Sequence, residues 1–594
     1  MSRYIGKDME ETKVAAPTIR KLVIERFRGI EKLTWHPAAG VNVILGGGDV
    51  GKTAILEAIG LLLSPTNSSI VSDSDYFGRR VEAGFCIEAV FSLPDLIGAD
   101  HQSKVWWPWE WNGADAVLSP EETQSEGVSD PVYRLRVRGS DELELAFEVV
   151  QPDDTTDHLG VGVRRAIGLV RLGGDDRNDR DLRLVQGSAL DRLLGDKNLR
   201  ARLGQKLAGA DITGELKEDA RERLKDVDTA FEKRALPKDL NLGLMGGPGM
   251  SLNALIGLTA GKDGTQLPLA SWGSGTRRLA ALEIAGIRQG EHPIIVVDEV
   301  ERGLEPYRQR AVVSELQRRP SQVFLTTHSP VALRAATEAT LWYMDAKSSV
   351  GRLVESGAAH RLKDPEAYLA RAGIIAEGAT EVGFVEALLR RHLAADLLDY
   401  GLVVSDGGGN DSTLSILEGL SRSGLLFGGF ADEEGRAPDR WARVHEEMGT
   451  RLFRWSSGCI EKNIVELLDD DKLEQFITPP DGEAGDRLRT LADRLGLAEK
   501  DFATIRATAG DLKTLVIAAA TGATPDDRTD LSSSDKKAWR KHADHWFKSY
   551  DGGLELEAKV LQLGLWPILE PVLSPFVEAI RLIVTPQGNT PVQA

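Results

Sequence analysis

Cysteine is scarce in this chain of 594 residues, which contains only Cys86 and Cys459. Two cysteines cannot build a disulfide framework or a four-cysteine zinc site, and they fit a reducing compartment. Long apolar runs are also missing, since no stretch of about 18 uninterrupted apolar residues occurs. The opening residues MSRYIGKDMEETK lack the apolar segment of a signal peptide. The sequence therefore predicts a cytoplasmic protein with no membrane span.

Positive charge is in deficit. The chain has 72 Lys and Arg against 91 Asp and Glu, so its formal net charge is −19. This balance argues against a protein that coats nucleic acid through bulk charge, so any DNA contact must be local. The excess carboxylates either keep the chain soluble or gather to hold metal ions, and only their positions can distinguish these two roles. The length predicts several domains.

A glycine-rich loop near the N-terminus carries the first chemical signal. Residues 46–53 read GGGDVGKT, which matches G-x-x-x-x-G-K-[ST], between the apolar strand VNVIL and a helix with apolar periodicity. In such a loop, backbone N–H groups converge on phosphate oxygens, the lysine approaches the β and γ phosphates, and the threonine ligates Mg²⁺. The candidate nucleotide-binding residues here are Gly46, Gly48, Asp49, Gly51, Lys52 and Thr53.

Two later strands complete the predicted nucleotide site. The segment HPIIVVDEV ends an apolar run in Asp298, which would hold Mg²⁺ through water, and Glu299, which would orient or deprotonate the attacking water. The segment SQVFLTTHS ends another run at His328, which can contact the γ-phosphate. Upstream, Ser274 and Gly275 open an apolar helix. That helix start is either a second anion site or a plain capped terminus.

These segments together resemble the ATPase head shared by ABC, SMC and RecF-type proteins. The resemblance covers about residues 18 to 345 and includes FRGI (27–30), a degenerate signature at Ser271 to Arg277 and a D-loop at Val300 to Pro306. It implies ATP binding and hydrolysis, with Glu299 and His328 as catalytic residues and Asp298, Ser274 and Gly275 at the nucleotide. Because the signature of one head completes the ATP site of another in that group, it also implies head-to-head dimers.

The second half starts again as an α/β unit in which three strands end in acidic residues. Glu377 follows the first strand and Glu381 the start of the next helix, Asp406 ends the second strand, and Asp432 and Glu434 follow the third. The carboxyl ends of parallel strands meet at one edge, so Glu377, Glu381, Asp432 and Glu434 can converge. Such hard oxygen ligands suit Mg²⁺ or Mn²⁺ and phosphodiester hydrolysis. The alternative is that acids simply follow strands in an acidic protein.

A basic stretch lies near the C-terminus. Residues 535–548, DKKAWRKHADHWFK, interleave five basic residues with Trp539 and Trp546, which suits contact with phosphates. An amphipathic surface helix is the alternative. Residues 160–250 are charged and helical in period, too short for a long coiled coil, and predict either a dimerising lobe or a solvated one.

The pattern E-G-x-T-E followed by D-x-[DE] resembles the Toprim domain. An ATPase head followed by Toprim is the arrangement of the OLD (overcoming lysogenization defect) family nucleases, which include the Gabija A subunit of phage defence. The resemblance spans residues 18 to about 560 and implies a lysine, Lys548, near the scissile phosphate. It departs from the family's D-x-D at Glu434. The metal ligands that it implies are Glu377, Glu381, Asp432, Glu434 and Glu461.

We therefore expect an α/β protein: an ABC/RecF-type P-loop ATPase head with a helical insertion, then a Toprim α/β domain and a helical C-terminal region. The expected boundaries are 18–160 and 251–345 for the head, 161–250 for a dimerising insertion, 370–470 for Toprim and 471–594 for the helical region. The expected cofactors are ATP and Mg²⁺ or Mn²⁺. The expected partners are double-stranded DNA, further copies in a homodimer or homotetramer, and a UvrD-like helicase or another defence protein.

The expected function is a metal-dependent DNA endonuclease or nickase gated by the ATPase head, acting in phage defence or DNA repair. One alternative is an SMC-like ATP-driven DNA clamp or sensor whose Toprim domain is inactive. Another is topoisomerase or primase chemistry. A topoisomerase needs a tyrosine nucleophile, and the second half offers only Tyr368, Tyr400 and Tyr550, none of them in a recognisable helix-turn-helix.

Overall fold

The structure is a computed structural model that forms two compact units. Their division falls between Trp342 and Tyr343, with Gly46–Gly48 grouped with the second unit. The described residues are 16–48, 50–66, 71–94, 106–118, 130–172, 182–185, 188–196, 199, 212–244, 256–262, 264–286, 292–345, 349–422, 427–479, 485–524 and 531–584. None of the described helices is long and apolar enough to cross a membrane.

The first unit combines strands and helices. Its strands are β1 (Thr18–Phe27), β2 (Ile30–Trp35), β3 (Val41–Leu45), β4 (Phe85–Ser92), β5 (Trp109–Trp111), β6 (Ala116–Val117), β7 (Pro131–Gly139), β8 (Leu145–Val150), β9 (Thr156–His158), β10 (Leu169–Leu172), β11 (Asn241–Leu244), β12 (Ile256–Lys262), β13 (Thr265–Pro268), β14 (Ile294–Val297) and β15 (Val323–Thr326). Its helices are α1 (Lys52–Leu62), α2 (Val161–Ile167), α3 (Ala189–Leu194), α4 (Glu218–Lys233), α5 (Ser274–Gly286), α6 (Pro306–Leu316) and α7 (Pro330–Ala335). The division between the units falls within β16 (Thr340–Met344).

A parallel sheet positions the nucleotide motifs. Strands β10, β14, β15 and β3 lie in that order and run parallel, with Val297 opposite Leu325 and Leu325 opposite Val43. Every residue of β3, β14 and β15 is buried, as expected for short apolar runs covered on both faces. Because the strands share direction and register, the loops after β3, β14 and β15 leave the sheet at the same edge.

The predicted helical insertion at 161–250 is only partly helical. Its described residues include α2, α3 and α4, but they also include β10, which pairs with β14, and β11, which pairs with β12. The apolar sequence LVRL at Leu169–Leu172 extends the parallel sheet, so this part belongs to the core of the ATPase unit. The prediction of a purely helical insertion was wrong because the short strand lies among charged helical segments that mask its signal.

The first unit also contains a large antiparallel sheet and a small three-stranded sheet of β11, β12 and β13. The strand order of the large sheet is β2-β1-β4-β7-β5-β6, with β8 joining β7 and β9 joining β8. One face carries a ladder of ion pairs in which Arg134 contacts Glu88 while Arg136 and Arg138 contact Glu148. The sequence WWPWEW (106–111) contains four tryptophans, and of these Trp109 is buried and donates its indole N–H to the carbonyl oxygen of Val150, which is a packing role.

The second unit is a parallel sheet covered by helices. Strand β17 (Val350–Arg352) pairs with β16 instead, and the parallel sheet of this unit consists of β18 (Ala372–Ala376), β19 (Leu402–Asp406), β20 (Gly428–Ala431) and β21 (Leu452–Arg454). Its helices are α8 (Glu355–Lys363), α9 (Glu366–Leu369), α10 (Ala379–His392), α11 (Asn410–Arg422), α12 (Pro438–Met448), α13 (Ile460–Glu466), α14 (Leu473–Ile477), α15 (Gly485–Leu495), α16 (Phe502–Thr508), α17 (Leu512–Thr521), α18 (Ser533–Arg540), α19 (Tyr550–Gln562) and α20 (Trp566–Val584).

The order of the parallel strands in the second unit is β19-β18-β20-β21. All residues of β18 and β20 are buried, and these strands share one apolar core with the C-terminal helices. From residue 471 onward the described residues form helices and no strand. The edge at the carboxyl ends of β18, β19 and β20 therefore carries Glu377, Asp406 and Asp432.

Helix α19 packs against α10 at unusually close range, because glycine faces backbone on both sides. A Cβ on Gly383 would strike the carbonyl oxygen of Tyr550, and one on Gly553 would strike that of Thr380. Only glycine permits this approach. The crossing fixes the segment that precedes α19, including Lys548, over the start of α10.

Candidate functional site

The candidate nucleotide-binding residues lie where α1 leaves the parallel sheet. Gly51 has φ of +107°, a backbone conformation that favours glycine, and it precedes Lys52 and Thr53 in the first turn of α1. The Thr53 hydroxyl lies 3.3 Å from Oδ1 of Asp298, which also accepts a hydrogen bond of 2.6 Å from the Thr326 hydroxyl. The loop and β14 thus bring together a hydroxyl and a carboxylate at a helix N-terminus, an arrangement suited to Mg²⁺ and phosphate.

The residues after β14 and β15 are tied to each other. Glu299 has φ of +49°, and its N–H donates to the Thr326 hydroxyl at 2.8 Å. Glu301 accepts from the Thr327 hydroxyl and from the N–H of His328, both at 2.6 Å. The His328 side chain is exposed. Both predicted catalytic residues of the head therefore lie at the edge that carries Thr53 and Asp298. Gly46 and Gly48 belong to the loop before α1, and Asp49 lies outside the described residues.

The predicted signature residues start α5. Ser274 is exposed, whereas Gly275 is buried against the loop after β14, because a Cβ there would strike the carbonyl oxygen of Gly303. One turn on, the buried Arg278 donates to the carbonyl oxygen of Asp298. The glycine at 275 thus has a packing reason within this chain, while Ser274 remains open to solvent.

In the second unit, Glu377 and Asp432 meet at the carboxyl edge of the sheet. Oε2 of Glu377 accepts from the N–H of Asp432 at 2.9 Å and from the side-chain amide of Asn410 at 2.8 Å. Oδ1 of Asp432 accepts from the N–H of Ile460 at 3.2 Å. Both carboxylates are buried. The ends of the adjacent strands β18 and β20 therefore hold two buried acids, which are linked by the hydrogen bond from the Asp432 N–H to Glu377.

Two further acids and a lysine complete the cluster. Glu381, in the first turn of α10, is buried, and Glu461, in α13, is 0% exposed. Nζ of Lys548 lies 3.0 Å from Oε1 of Glu461. The Thr380 hydroxyl donates to the carbonyl oxygen of Phe547 at 2.7 Å, which anchors the chain next to Lys548. We call Glu377, Glu381, Asp432, Glu461 and Lys548 the acidic cluster.

Burial and mutual repulsion perturb the acidic cluster. Burial, assisted by Glu461, raises the pKa of Glu381 to about 7, and burial, assisted by Glu381, raises the pKa of Asp432 to about 9. The pKa of Glu377 is also raised by burial, against the two hydrogen bonds that it accepts. Burial alone would lower the pKa of Lys548, but Glu461 and Glu381 raise it above its ordinary value. Four carboxyl groups thus surround one lysine, and their burial and crowding favour the protonated forms of Glu381 and Asp432.

Glu434 stands apart from the acidic cluster. Its side chain is 40% exposed and pairs with Arg436 at 3.4 Å. Among the described residues, no group of three or more His, Cys, Asp or Glu side chains is already spaced to hold a metal ion. The reason is local, because Glu377 faces an amide and a peptide N–H while Glu461 faces an ammonium group. The five predicted ligands therefore do not form a ready-made coordination shell.

The basic C-terminal stretch separates into exposed and buried parts. Trp539 and Trp546 are buried, stacked by Arg494 and Arg487, so neither is available to stack on a base. The two rings are therefore part of the core, and it is the basic side chains of this stretch that face solvent. The basic residues around them lie at the surface: Lys536, Lys537, Arg540 and Lys541 are all exposed.

The tyrosines fit poorly with a nucleophile held over the acidic cluster. Tyr368 is 0% exposed and its hydroxyl lies 3.0 Å from Nδ1 of His360. Tyr550 binds Glu386 and Arg390 at the surface. Neither hydroxyl is free, which disfavours strand-passage chemistry.

Sequence reasoning missed Asn410, Trp441 and Arg454. The Asn410 amide bridges Glu377 and the carbonyl oxygen of Asp432, its oxygen accepts from the Trp441 indole, and the Arg454 guanidinium lies 4.2 Å from the Trp441 ring. The only signal was the run GGGN after β19. Two of its glycines, Gly408 and Gly409, have φ of +81° and +97°.

One known protein-family model matches part of the chain. Residues 156–334 match the family model "AAA domain, putative AbiEii toxin, Type IV TA system". A 46-residue stretch is 46% identical to the DNA replication and repair protein RecF of Teredinibacter turnerae, covering 8% of this chain and 12% of that protein. The matched residues include Asp298, Glu299 and His328, so the family match supports an ATPase domain in the first unit.

Two solved structures are similar to parts of this chain. The recombination mediator protein RecF-ATPrS in the RecFOR pathway aligns at 14% identity and a TM-score of 0.37, covering 57% of this chain and 99% of its own. An SmcHead bound to the C-winged helix domain of ScpA aligns at 16% identity and a TM-score of 0.36, covering 58% of this chain and 99% of its own.

Proposed function

We propose that this protein is an ATP-binding, divalent-metal-dependent DNA endonuclease or nickase of the OLD type, whose second unit is a Toprim domain gated by the nucleotide state of the first. The observation that carries the proposal is the acidic cluster: four buried carboxylates and one lysine at the carboxyl edge of a parallel sheet. Buried, charge-crowded carboxylates destabilise a fold, so their presence together favours a functional role.

The acidic cluster fits a small hard cation. Both oxygens of Glu461 are buried and accept no well-aligned hydrogen bond from the described residues, although Lys548 is close to one of them. These buried carboxylate oxygens, together with those of Glu377, Glu381 and Asp432, are the ligands that Mg²⁺ or Mn²⁺ prefers. When bound, the metal would activate water and neutralise charge on the phosphate. Side-chain rotations of the carboxylates are needed, since the cluster is not prearranged.

Lys548 supplies the cationic group of the reaction. Its side chain is 37% exposed, so it can face both the buried Glu461 and a phosphate arriving from solvent. There it would stabilise the charge that develops on the scissile phosphate. The exposed Lys536, Lys537, Arg540 and Lys541, which precede it in the chain, would contact further phosphates of duplex DNA.

The first unit supplies the nucleotide switch. Lys52 and Thr53 would hold the phosphates and Mg²⁺ with Asp298, and Glu299 and His328 would act on the attacking water and the γ-phosphate. Ser274, exposed at the start of α5, is free to complete the ATP site of a second copy. This arrangement requires at least a homodimer.

The test is plasmid nicking by the purified chain with Mg²⁺ or Mn²⁺. We expect open circles with free ends, abolished by Glu377→Ala while ATP hydrolysis stays within a few fold, since the two sites lie in different units. Asp406→Asn, at the exposed end of the neighbouring strand, is the matched control and should nick normally. If Glu377→Ala nicks at the parental rate, the cleavage arises elsewhere and the proposal fails.

A second candidate is an ATP-driven DNA clamp with an inactive second unit. It is favoured by the missing ready-made metal group among the described residues. Under this candidate the plasmid stays intact with either metal, whereas DNA retention on the protein depends on ATP.

A further inference from the structure

We propose that Asn410 is a positioning residue that orients Glu377 so that this carboxylate offers a single oxygen to the metal ion. The inference rests on the proposed function, because it concerns how the acidic cluster is prepared for a cation. Asn410 touches neither reacting atoms nor a metal in this role and acts through Glu377.

The turn after β19 carries Asn410 across the sheet edge. Strand β19 pairs with β18, which pairs in turn with β20. Gly408 and Gly409 adopt positive φ, and the N–H of Gly409 donates to the carbonyl oxygen of Glu377 at 2.8 Å. This turn delivers Asn410, 5% exposed, to a point between the ends of β18 and β20. The Asn410 side chain, which follows β19, thus links the ends of β18 and β20, where Glu377 and Asp432 lie.

The orientation of the Asn410 amide is determined by its partners. The indole N–H of Trp441 is a donor only, and it lies 3.2 Å from the Asn410 oxygen. The amide nitrogen must therefore face the other way, where it donates to Oε2 of Glu377 at 2.8 Å and to the carbonyl oxygen of Asp432 at 3.3 Å. Reversing the amide would set two donors against each other and two acceptors against each other. The network has one consistent arrangement.

This arrangement uses up one oxygen of Glu377. Oε2 accepts two hydrogen bonds, one from Asn410 and one from the N–H of Asp432, which leaves Oε1 for a cation. A carboxylate held in this way binds a metal through one oxygen. Single-oxygen ligation suits the octahedral shell of Mg²⁺ or Mn²⁺, whereas Ca²⁺ readily takes both oxygens of a carboxylate. Asn410 would thus favour the smaller cations as well as hold the ligand still.

The experiment measures metal binding directly, by electron paramagnetic resonance titration of the full chain with Mn²⁺ and by competition with Ca²⁺. Asn410→Ala should weaken Mn²⁺ binding about 10-fold or more, the usual effect of losing a partner of a metal ligand. It should also weaken Ca²⁺ binding less than Mn²⁺ binding, because the freed Oε2 becomes available. Trp441→Phe keeps the ring that Arg454 stacks on, removes the indole N–H, and should give a smaller loss.

Ser405→Ala is the matched control. Ser405 is buried at the end of the same strand, but its hydroxyl faces His360 at 3.2 Å rather than the acidic cluster. The Mn²⁺ affinity of the Ser405→Ala variant should equal that of the wild-type chain. Thermal unfolding of each variant identifies misfolding. If Asn410→Ala does not fold, the Mn²⁺ affinity of Trp441→Phe is compared with that of the wild-type chain in its place.

The outcomes separate the two proposals. If the wild-type chain binds Mn²⁺ and the folded Asn410→Ala variant binds it equally well, the positioning role is overturned while the proposed function stands. If the wild-type chain itself binds no Mn²⁺, the metal-dependent function fails, and the role of Asn410 falls with it.

Discussion

The substitution Asp432→Asn tests the electrostatic strain of the acidic cluster without any DNA substrate. Asp432 is buried, and its pKa is raised to about 9 by burial and by Glu381. At pH 7.5 the metal-free folded chain therefore holds this carboxyl protonated, whereas the unfolded chain ionises it. Stability is lost as pH rises above the unfolded pKa, because the unfolded state releases a proton that the folded state retains. Asparagine keeps an oxygen for the N–H of Ile460 and cannot ionise.

The size of the effect follows from the two pKa values. Each pH unit between an unfolded pKa of about 3.9 and pH 7.5 corresponds to about 1.4 kcal/mol of unfolding free energy. The largest stabilisation that Asp432→Asn can give at pH 7.5 is therefore roughly 5 kcal/mol. The other carboxylates and Lys548 readjust when one charge is removed, and we expect roughly 2 kcal/mol or more. For a unit of this size, that raises the unfolding midpoint by roughly 4 to 8 °C. At pH 4.5 the gain should fall below about 1 kcal/mol.

The assay is differential scanning calorimetry of the full chain in a chelator, at pH 7.5 and pH 4.5, following the transition that Mn²⁺ shifts in the wild-type protein. Asp432→Asn should raise that transition at pH 7.5 and should gain little from Mn²⁺, because a ligand is missing. Asp406→Asn is the control, since Asp406 also accepts a backbone N–H, from Gly408 at 2.8 Å, but is exposed. A lower transition for Asp432→Asn at pH 7.5 would refute the reasoning.

Three further expectations concern other parts of the molecule. Glu299→Gln should bind ATP with wild-type affinity and lose hydrolysis, because it removes the base beside Asp298; normal turnover in a phosphate-release assay would contradict this role. Gly553→Ala should lower the unfolding midpoint of the second unit and slow nicking, since its methyl group meets the carbonyl oxygen of Thr380 and pushes α19 off α10 at a cost of about 1 to 3 kcal/mol; an unchanged midpoint would count against the close crossing. Light scattering should give a multiple of the 64.6 kDa chain with ATP, and a monomer at micromolar concentration would argue against the split ATP site.

The strands that carry the candidate sites could be read from the sequence. Val41–Leu45 and Ile294–Val297 were predicted with the bounds that they have, because short, fully apolar runs bounded by glycine, proline or acids are typical of buried parallel strands. The acids at strand ends could also be predicted, since parallel strands bring their carboxyl ends to one edge. Local sequence was sufficient for these features because each depends on a few neighbouring residues.

Other features depend on residues far apart in the chain, and the sequence alone did not reveal them. Strand β10 pairs with β14 across more than 100 residues, so it was hidden within a segment that looks helical. Glu434 stands at the second acidic position of the motif, where the family has aspartate, and it lies at the surface in an ion pair with Arg436. The burial of Trp539 and Trp546 likewise comes from helices packed around them, which periodicity does not reveal.

The sequence by itself determined which chemical groups the protein contains: a glycine-rich loop suited to phosphate, a carboxylate pair after an apolar strand, and acids at the ends of the strands of a second sheet. Only the tertiary structure decided which of those groups meet. The glycine crossing of α10 and α19 brings Lys548 to Glu461, and the turn after β19 brings Asn410 to Glu377. The physical reason is that hydrogen bonds and charges act over a few ångströms, so the pKa values and free oxygens of a cluster depend on packing between elements that sequence distance keeps apart.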